Sequence, residues 1–433
     1  MKKLVVATLV LLVLVLVVSA PTTSSSSESL IIQANNLETA VAVAEAYGGQ
    51  VTQELGIINA VSAEFPEGAL TALKQDARVL SVQTDNMIEA AGIQSHYRAR
   101  RPQADFPEVM NVDEAWDARV NGRDVGVALV DSGINRLPGL RRNIVATYDA
   151  LDNGPRLRDK FGHGTMMASL IANSTRDNNG YIGIAPRVDL IDVRVLDGQG
   201  KGNYTDIIEG LNWVLENKDE YNIRVVNLSI VGAVDSPYWA DPLNQAVEAL
   251  WDAGIVVLAA AGNGGSDPMT IAVPGNDPFV ITVGAFTDNY TPEDSSDDYV
   301  TPFSGAGPTE MGFVKPDVVA PGAHMLVQGL PFANWNRTHY DAWKGGFYYE
   351  IAGTSAATAV TTGVVALMLD ENPDMTPNQV KHALLNTAET AVNEDDTLTW
   401  SLFQQGAGRV NAGEAVLNPP EGEANPGMEL GEM

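Results

Sequence analysis

Val125–Gly133 reads VGVALVDSG. Its first six residues are aliphatic or glycine, with none of the polar alternation of a half-exposed strand. A short continuous apolar run closed by Asp-Ser-Gly predicts a strand buried on both faces, with Asp131 at its carboxyl end. Four similar runs follow: VDLIDVRVLD (Val188–Asp197), IRVVNLSIVG (Ile223–Gly232), GIVVLAAAGN (Gly254–Asn263) and FVITVGAF (Phe279–Phe286). Helical patterns lie between them, including YTDIIEGLNWVLEN (Tyr204–Asn217) and DPLNQAVEALWDAG (Asp241–Gly254). Buried strands alternating with helices predict an α/β fold with a parallel sheet covered by helices on both faces. In such sheets the functional groups gather outside the carboxyl ends of the strands.

This unit is expected to span residues 109–418. At 433 residues the chain is long enough for more than one domain. Upstream, residues 30–91 carry β-α-β-α-β signals: SLIIQA, LETAVAVAEAYGG, INAVSAEF, PEGALTALKQD and VLSVQTD, with a further strand hidden in QVTQEL. The pattern fits a small ferredoxin-like α+β domain. Between the two units, residues 92–108 are polar and basic, with His96, Arg98, Arg100 and Arg101, and read as an exposed linker. Residues 419–433 are rich in Pro, Gly and Glu and are expected to be a disordered acidic tail.

At the amino end, Met1-Lys2-Lys3 precedes an apolar run from Leu4 to Val18. This is the pattern of an export signal over residues 1–19, cut after Ser19 because Pro21 disfavours a cut after Ala20. A hydroxyl-rich linker over residues 20–29 follows. The alternative is an uncleaved membrane anchor, for which the run is short. The chain has no cysteine, which excludes disulfides, thiolate metal sites and a cysteine nucleophile. A formal net charge of −29 argues against nucleic acid as a partner.

Four residues at predicted strand or helix ends can carry chemistry. Asp131 ends the first run. His163, one of only five histidines, sits between two glycines in KFGHGTMMASLIA. Asn263 ends GIVVLAAAGN, where a side-chain amide can donate to a developing oxyanion. Ser355 lies in IAGTSAAT (Ile351–Thr358), before an apolar helical stretch. Each alone has a plainer reading: a turn Asp, a helix-start His, a turn Asn, a helix-capping Ser. Together they make a hydroxyl, an imidazole to activate it, a carboxylate to orient the imidazole and an oxyanion donor.

The chain resembles the subtilisin-type serine endopeptidases, or subtilases. The stretches that carry the resemblance are VALVDSGI, GHGTMMAS, VRVLDGQGKGNYTDI, VVNLSI, VVLAAAGN, FSGAGPT, KPDVVAPG, IAGTSAA and GAGRVNAGEAV, in family order. The resemblance implies a three-layer subtilisin-like fold, preceded by an inhibitor-type propeptide over residues 30–91 that also serves as folding chaperone. It implies Asp131 orienting the imidazole, His163 as general base and then acid, and Ser355 as nucleophile. Asn263 and the Ser355 N–H would hold the oxyanion. Gly200, Gly202 and Tyr204 on one segment, and Ser229, Ile230 and Val231 on another, would sandwich a substrate peptide. Gly264 and Ala272 would line the pocket for the residue before the cut. That pocket carries no basic residue and is expected to favour small or apolar residues.

Autocleavage is expected after Ala91, with Ile88 in the fourth pocket; the rival site is Arg100-Arg101. The expected protein is an exported monomeric zymogen acting on polypeptides, with no cofactor required for chemistry. Rival readings are a non-catalytic peptide-binding relative and an acid-active relative with a Glu base.

The sequence also departs from the family. Ala356 follows the serine where Met is usual, and Val231 stands where Gly is usual, which is expected to narrow that subsite or distort the edge. The turn after Asp131 holds Gly139 and Leu140 where the family has a calcium-binding Asp, so that site is expected to be lost. PEDSSDD (Pro292–Asp298) is a weak alternative for calcium. Residues 327–350 form a long insertion that holds Trp335, Tyr340, Trp343, Phe347, Tyr348 and Tyr349, expected either to cover a core edge or to rim the substrate groove.

Overall fold

The computed structural model describes residues 27–92, 94–95, 104–151, 158–177, 180–393, 395 and 397–430. The proposed export signal and the Arg100-Arg101 site lie outside them.

The first unit contains β1 (Ser27–Ala34), α1 (Leu37–Ala46), β2 (Gln50–Leu55), β3 (Ala60–Pro66), α2 (Ala69–Leu73) and β4 (Val79–Thr84). The strands form an antiparallel sheet in the order β2-β3-β1-β4. Alternation along β1 decides what each face buries. Leu30 and Ile32 join Val43, Phe65 and Leu73 in a small core under the two helices. Ile31 points the other way and joins the main core with Leu55 and Ile58. The strand begins at Ser27, paired to Pro66, so residues 27–29 belong to the sheet and not to a linker. Backbone pairing to β3 holds them whatever their side chains.

Next come β5 (Met87–Ala90), β6 (Gln94–Ser95), α3 (Phe106–Val109) and α4 (Val112–Asp117). Ala104 and Phe106 are buried in the main core, so the large unit begins upstream of residue 109. It continues with β7 (Gly126–Asp131), β8 (Ile144–Asp149), α5 (His163–Ala172), β9 (Asp189–Arg194), β10 (Lys201–Asn203), α6 (Tyr204–Asn217), β11 (Ile223–Leu228) and β12 (Ile230–Val231). Then follow α7 (Pro242–Asp252), β13 (Val256–Ala260), β14 (Ile281–Thr287), β15 (Tyr299–Val300) and β16 (Val318–Pro321).

Eight of these strands form the central sheet, in the order β15-β14-β13-β11-β7-β9-β8 with β16 beside β14. All its pairs are parallel except β14 with β15. The edge strand β8 escaped the sequence reading because its burial alternates, leaving Val145 exposed.

The remaining elements are β17 (Met325–Gln328), α8 (Asn334–Thr338), β18 (Trp343–Gly345), β19 (Tyr348–Ala352), α9 (Thr354–Glu371), α10 (Pro377–Thr387), α11 (Leu402–Gln405) and α12 (Ala412–Leu417). α6 and α7 pack together on one side of the sheet, and α5 and α9 on the other. α9 is buried on every side from Thr354 to Leu369, which explains its uniformly small and apolar sequence. The tail is not disordered over residues 419–430. Ala424 N–H donates to Asn378 O at 3.0 Å, Asn425 Nδ2 to Asn378 Oδ1 at 3.2 Å, and Met428 and Leu430 pack on the main core.

One buried charge cluster sits below the sheet-end loops. Lys315 Nζ lies 2.6 Å and Lys381 Nζ 3.1 Å from the two oxygens of Asp317. Both ammoniums also donate to the Val280 carbonyl. Burial pushes Lys315 down to about 7, against the pull of Asp317. Burial alone would raise the Asp317 carboxyl, but the two ammoniums outweigh it and hold it low. Asp317→Ala would strip both buried lysines of the carboxylate they share, with only the charge of Asp277 among the groups acting on Lys315 left to offset it. Chemical denaturation of that variant should show a loss of about 3–5 kcal/mol. An unchanged midpoint would mean the cluster is not structural.

Candidate active site

Asp131 and His163 are both fully buried, and the structure brings them into contact. His163 Nδ1 lies 2.9 and 2.8 Å from the two Asp131 carboxylate oxygens. Asp131 Oδ1 also accepts from Ser132 N–H at 2.7 Å, which fixes the carboxylate at the end of β7. His163 is the first residue of α5. Gly162 before it has φ +110°, and a side chain on Gly164 would collide with the Gly133 carbonyl, so glycines on both sides let the imidazole reach the strand end.

Asp159 organises this turn and was missed in the sequence. It accepts from Ser132 Oγ, Gly162 N–H, Thr165 N–H and Thr165 Oγ1 at 2.6–2.9 Å. Burial raises its carboxyl to about 6 against these four donors. Its position four residues before the histidine was the available signal.

Ser355 is not a helix cap. Gly353 is the N-cap of α9 and Ser355 the second helical residue, so its backbone N–H is among those a helix leaves without an internal partner. Asn263 is oriented from behind: its Oδ1 accepts from Thr354 N–H at 2.9 Å and Thr354 Oγ1 at 3.0 Å, which turns Nδ2 toward the cleft. Ser229 ties the neighbouring segment to α9. Its hydroxyl donates to Ser355 O at 3.0 Å and accepts from Asn227 Nδ2, and Asn227 accepts from Thr362. Ala356 is fully buried in the main core.

The cleft is filled by the chain itself. β5 is the middle strand of a three-stranded antiparallel sheet with β10 and β12. Ala90 N–H donates to Gly200 O at 2.9 Å and Ala91 N–H to Ser229 O at 3.1 Å. Ile88 stands opposite Gly202, fully buried and close to Gly232. Val231 pairs with Glu89, so its side chain does not break the edge.

At the end of this strand the Ser355 hydroxyl lies 3.0 Å from Ala91 O and 3.3 Å from Ser229 O. Asn263 Nδ2 donates to the next carbonyl, Gly92 O. The two successive carbonyls therefore meet two different donors, Ser355 Oγ and Asn263 Nδ2. Among the described residues His163 Nε2 has no hydrogen-bond partner, because the hydroxyl is engaged by the strand. Gly264 is exposed and Ala272 half-buried near Thr270; Asp267 is exposed.

The turn after Asp131 carries no carboxylate at Gly139 or Leu140, and Leu140 is fully buried. In the Asp-rich loop Asp294 caps Ser296 N–H, Asp297 accepts from Asn289 and Thr291, and Asp298 pairs with Arg409. Among the described residues no three His, Cys, Asp or Glu side chains gather as metal ligands. The aromatic insertion does two things. Trp335 and Tyr349 are buried, and Asn334 and Trp335 N–H groups donate to the carbonyls of Lys160 and Phe161 just before His163. Tyr340 and Trp343 are more than half exposed.

A sequence profile of the subtilase family matches residues 122–408. Serine protease AprX of Bacillus subtilis (strain 168) is 37% identical over 373 residues, covering 83% of this chain and 79% of that protein. Subtilisin E of the same organism is 31% identical over 372 residues, covering 85% and 84%. Fervidolysin from Fervidobacterium pennivorans shares the fold, with a TM-score of 0.70 at 22% identity over 91% of this chain. The chain spans 61% of that structure's length.

Proposed function

The chain belongs to the subtilase family of serine endopeptidases, and from that premise we propose that it is an exported zymogen that cuts itself near Ala91 and then cleaves other polypeptides. The observation that carries this reading is the placement of Met87–Ala90 as a strand between β10 and β12, with the next carbonyl, Ala91 O, on the Ser355 hydroxyl.

In the proposed mechanism the hydroxyl turns from the carbonyls it now touches to His163 Nε2. His163 takes its proton as Ser355 Oγ attacks the substrate carbonyl carbon. Asp131 holds the Nδ1 proton and stabilises the imidazolium. The oxyanion is held by Asn263 Nδ2 and by the Ser355 N–H at the start of α9, where the helix dipole favours negative charge. His163 then protonates the leaving amine. Water releases the acyl group by the same steps in reverse. No cofactor enters the chemistry.

Two contacts nominate adjacent bonds for self-cleavage. Strand pairing through Ala91 N–H points to the Ala91–Gly92 bond, whereas the Asn263 contact points to Gly92–Ile93. Either puts a small residue in the first pocket, consistent with its neutral lining at Gly264 and Ala272. Amino-terminal sequencing of the secreted protein should give a start at Gly92 or Ile93. A start at Pro102 would instead assign maturation to a separate enzyme that cuts after Arg101.

A peptide-library digest by purified protein, run beside Ser355→Ala, tests the activity itself. Cuts after small or apolar residues, absent with the variant, are expected. Equal digestion by both would remove the proposed nucleophile.

A further inference from the structure

β19 is the strand that leads into the nucleophile helix, and its two edges are used differently. One edge pairs with β17 from Met325 opposite Ile351 to Gln328 opposite Tyr348. The other edge is shared by two short strands. β6 occupies the end nearest Ser355, with Gln94 opposite Ala352 and Ser95 opposite Ile351. β18, from the aromatic insertion, occupies the far end, with Trp343 opposite Tyr349 and Gly345 opposite Tyr348. Both are antiparallel to β19, so they run in the same direction, one behind the other. A chain that continues along this edge past Ser95 finds one more position, opposite Glu350, and then meets the start of β18.

We propose that β18 is a built-in stop on the leaving-group side of the substrate cleft. The edge of β19 would pair with three residues of a bound polypeptide, opposite Ala352, Ile351 and Glu350, and then force the chain off the sheet at Trp343. This rests on the reading that the chain's own segment around Ala91 marks how a substrate lies.

The stop is anchored. Within the insertion Trp335 is buried, and the Trp343 indole N–H donates to Gly346 O at 3.1 Å. Lys344 Nζ lies 3.1 Å from Glu350 Oε2, tying β18 to β19 at the point where the edge would continue. Trp343 itself is 53% exposed and stands at the junction. The substrate class this selects is a segment that stays extended for about four residues beyond the cut and then turns away, as exposed loops and unfolded chains do. A long strand held straight by its own fold would run into β18. Backbone pairing gives affinity along an exposed edge only while the edge lasts.

The test is a set of internally quenched peptides with the sequence of residues 87–95, extended after the serine by zero to six alanine or serine residues, with the cut bond read by mass. With the parent enzyme, kcat/KM should rise several-fold on adding the first residue and stay within about twofold thereafter. With Trp343→Pro, which removes a backbone donor and the indole, and with Trp343→Gly, further residues should raise it at least about threefold more. A p-nitroanilide substrate ending at the cut should be hydrolysed equally by all three, showing an intact site.

Continued gains with the parent enzyme would overturn the stop. So would a plateau at the same length in a variant whose p-nitroanilide rate is intact. If Trp343→Pro loses that rate, Trp343→Gly decides. No hydrolysis of any substrate by the parent would instead bring down the peptidase reading beneath it.

Discussion

Ser355→Ala is expected to leave the chain uncut, with the first unit still covalently attached, and to lower peptide hydrolysis by about 10⁶-fold. The physical basis is that the hydroxyl touches the Ala91 carbonyl at the end of the strand that the chain lays in its own cleft. A loss of that size corresponds to about 8 kcal/mol of transition-state stabilisation. The fold should survive, because Ser355 is followed by Ala356 and Ala357 in the same buried helix and alanine is the strongest helix former. Intact-mass measurement of purified protein reads the first effect, and burst kinetics with an ester substrate reads the second. If the variant were still split at Ala91 or Gly92 when expressed alone, another protease would be responsible and self-processing would fall.

Asp131→Asn should lower kcat by about 10⁴-fold with KM little changed. Both carboxylate oxygens lie within 2.9 Å of His163 Nδ1, and both residues are sealed from water. A carboxylate there can only accept, so Nδ1 keeps its proton and Nε2 faces the cleft as a base. An amide can present its NH₂ to Nδ1 instead, which places the imidazole proton on Nε2, where it cannot accept one from Ser355. The substitution is nearly isosteric, and Ser132 N–H can still donate to the amide oxygen. Melting temperature should therefore change far less than rate. A fall of less than tenfold in kcat would show that Asp131 does not set the imidazole's tautomer.

The contrast between what was legible and what was not follows the physics of each signal. Asp159 went unread because four of its donors converge only after the turn before α5 has closed. The order of residues 419–430 went unread because Pro, Gly and Glu composition argues for disorder. The segment is nevertheless held by backbone and amide bonds to Asn378, which do not depend on apolar content. β8 was hidden by its edge position, and the first residues of β1 by their serines.

What the amino-acid sequence determined by itself was the buried parallel sheet and the set of residues at its ends. Continuous aliphatic runs report burial directly, and Asp131, His163, Asn263 and Ser355 each stand where such a run or a helix begins or stops. What only the tertiary structure decided was which edges are occupied and by what. That includes the strand of residues 87–90 between β10 and β12, the contacts that set the Ala91 and Gly92 carbonyls on two different partners, and the meeting of β6 and β18 on one side of β19. Edge pairing is made by backbone N–H and C=O groups that almost every residue carries. A side-chain pattern can mark a strand as exposed or buried, but not name its neighbour.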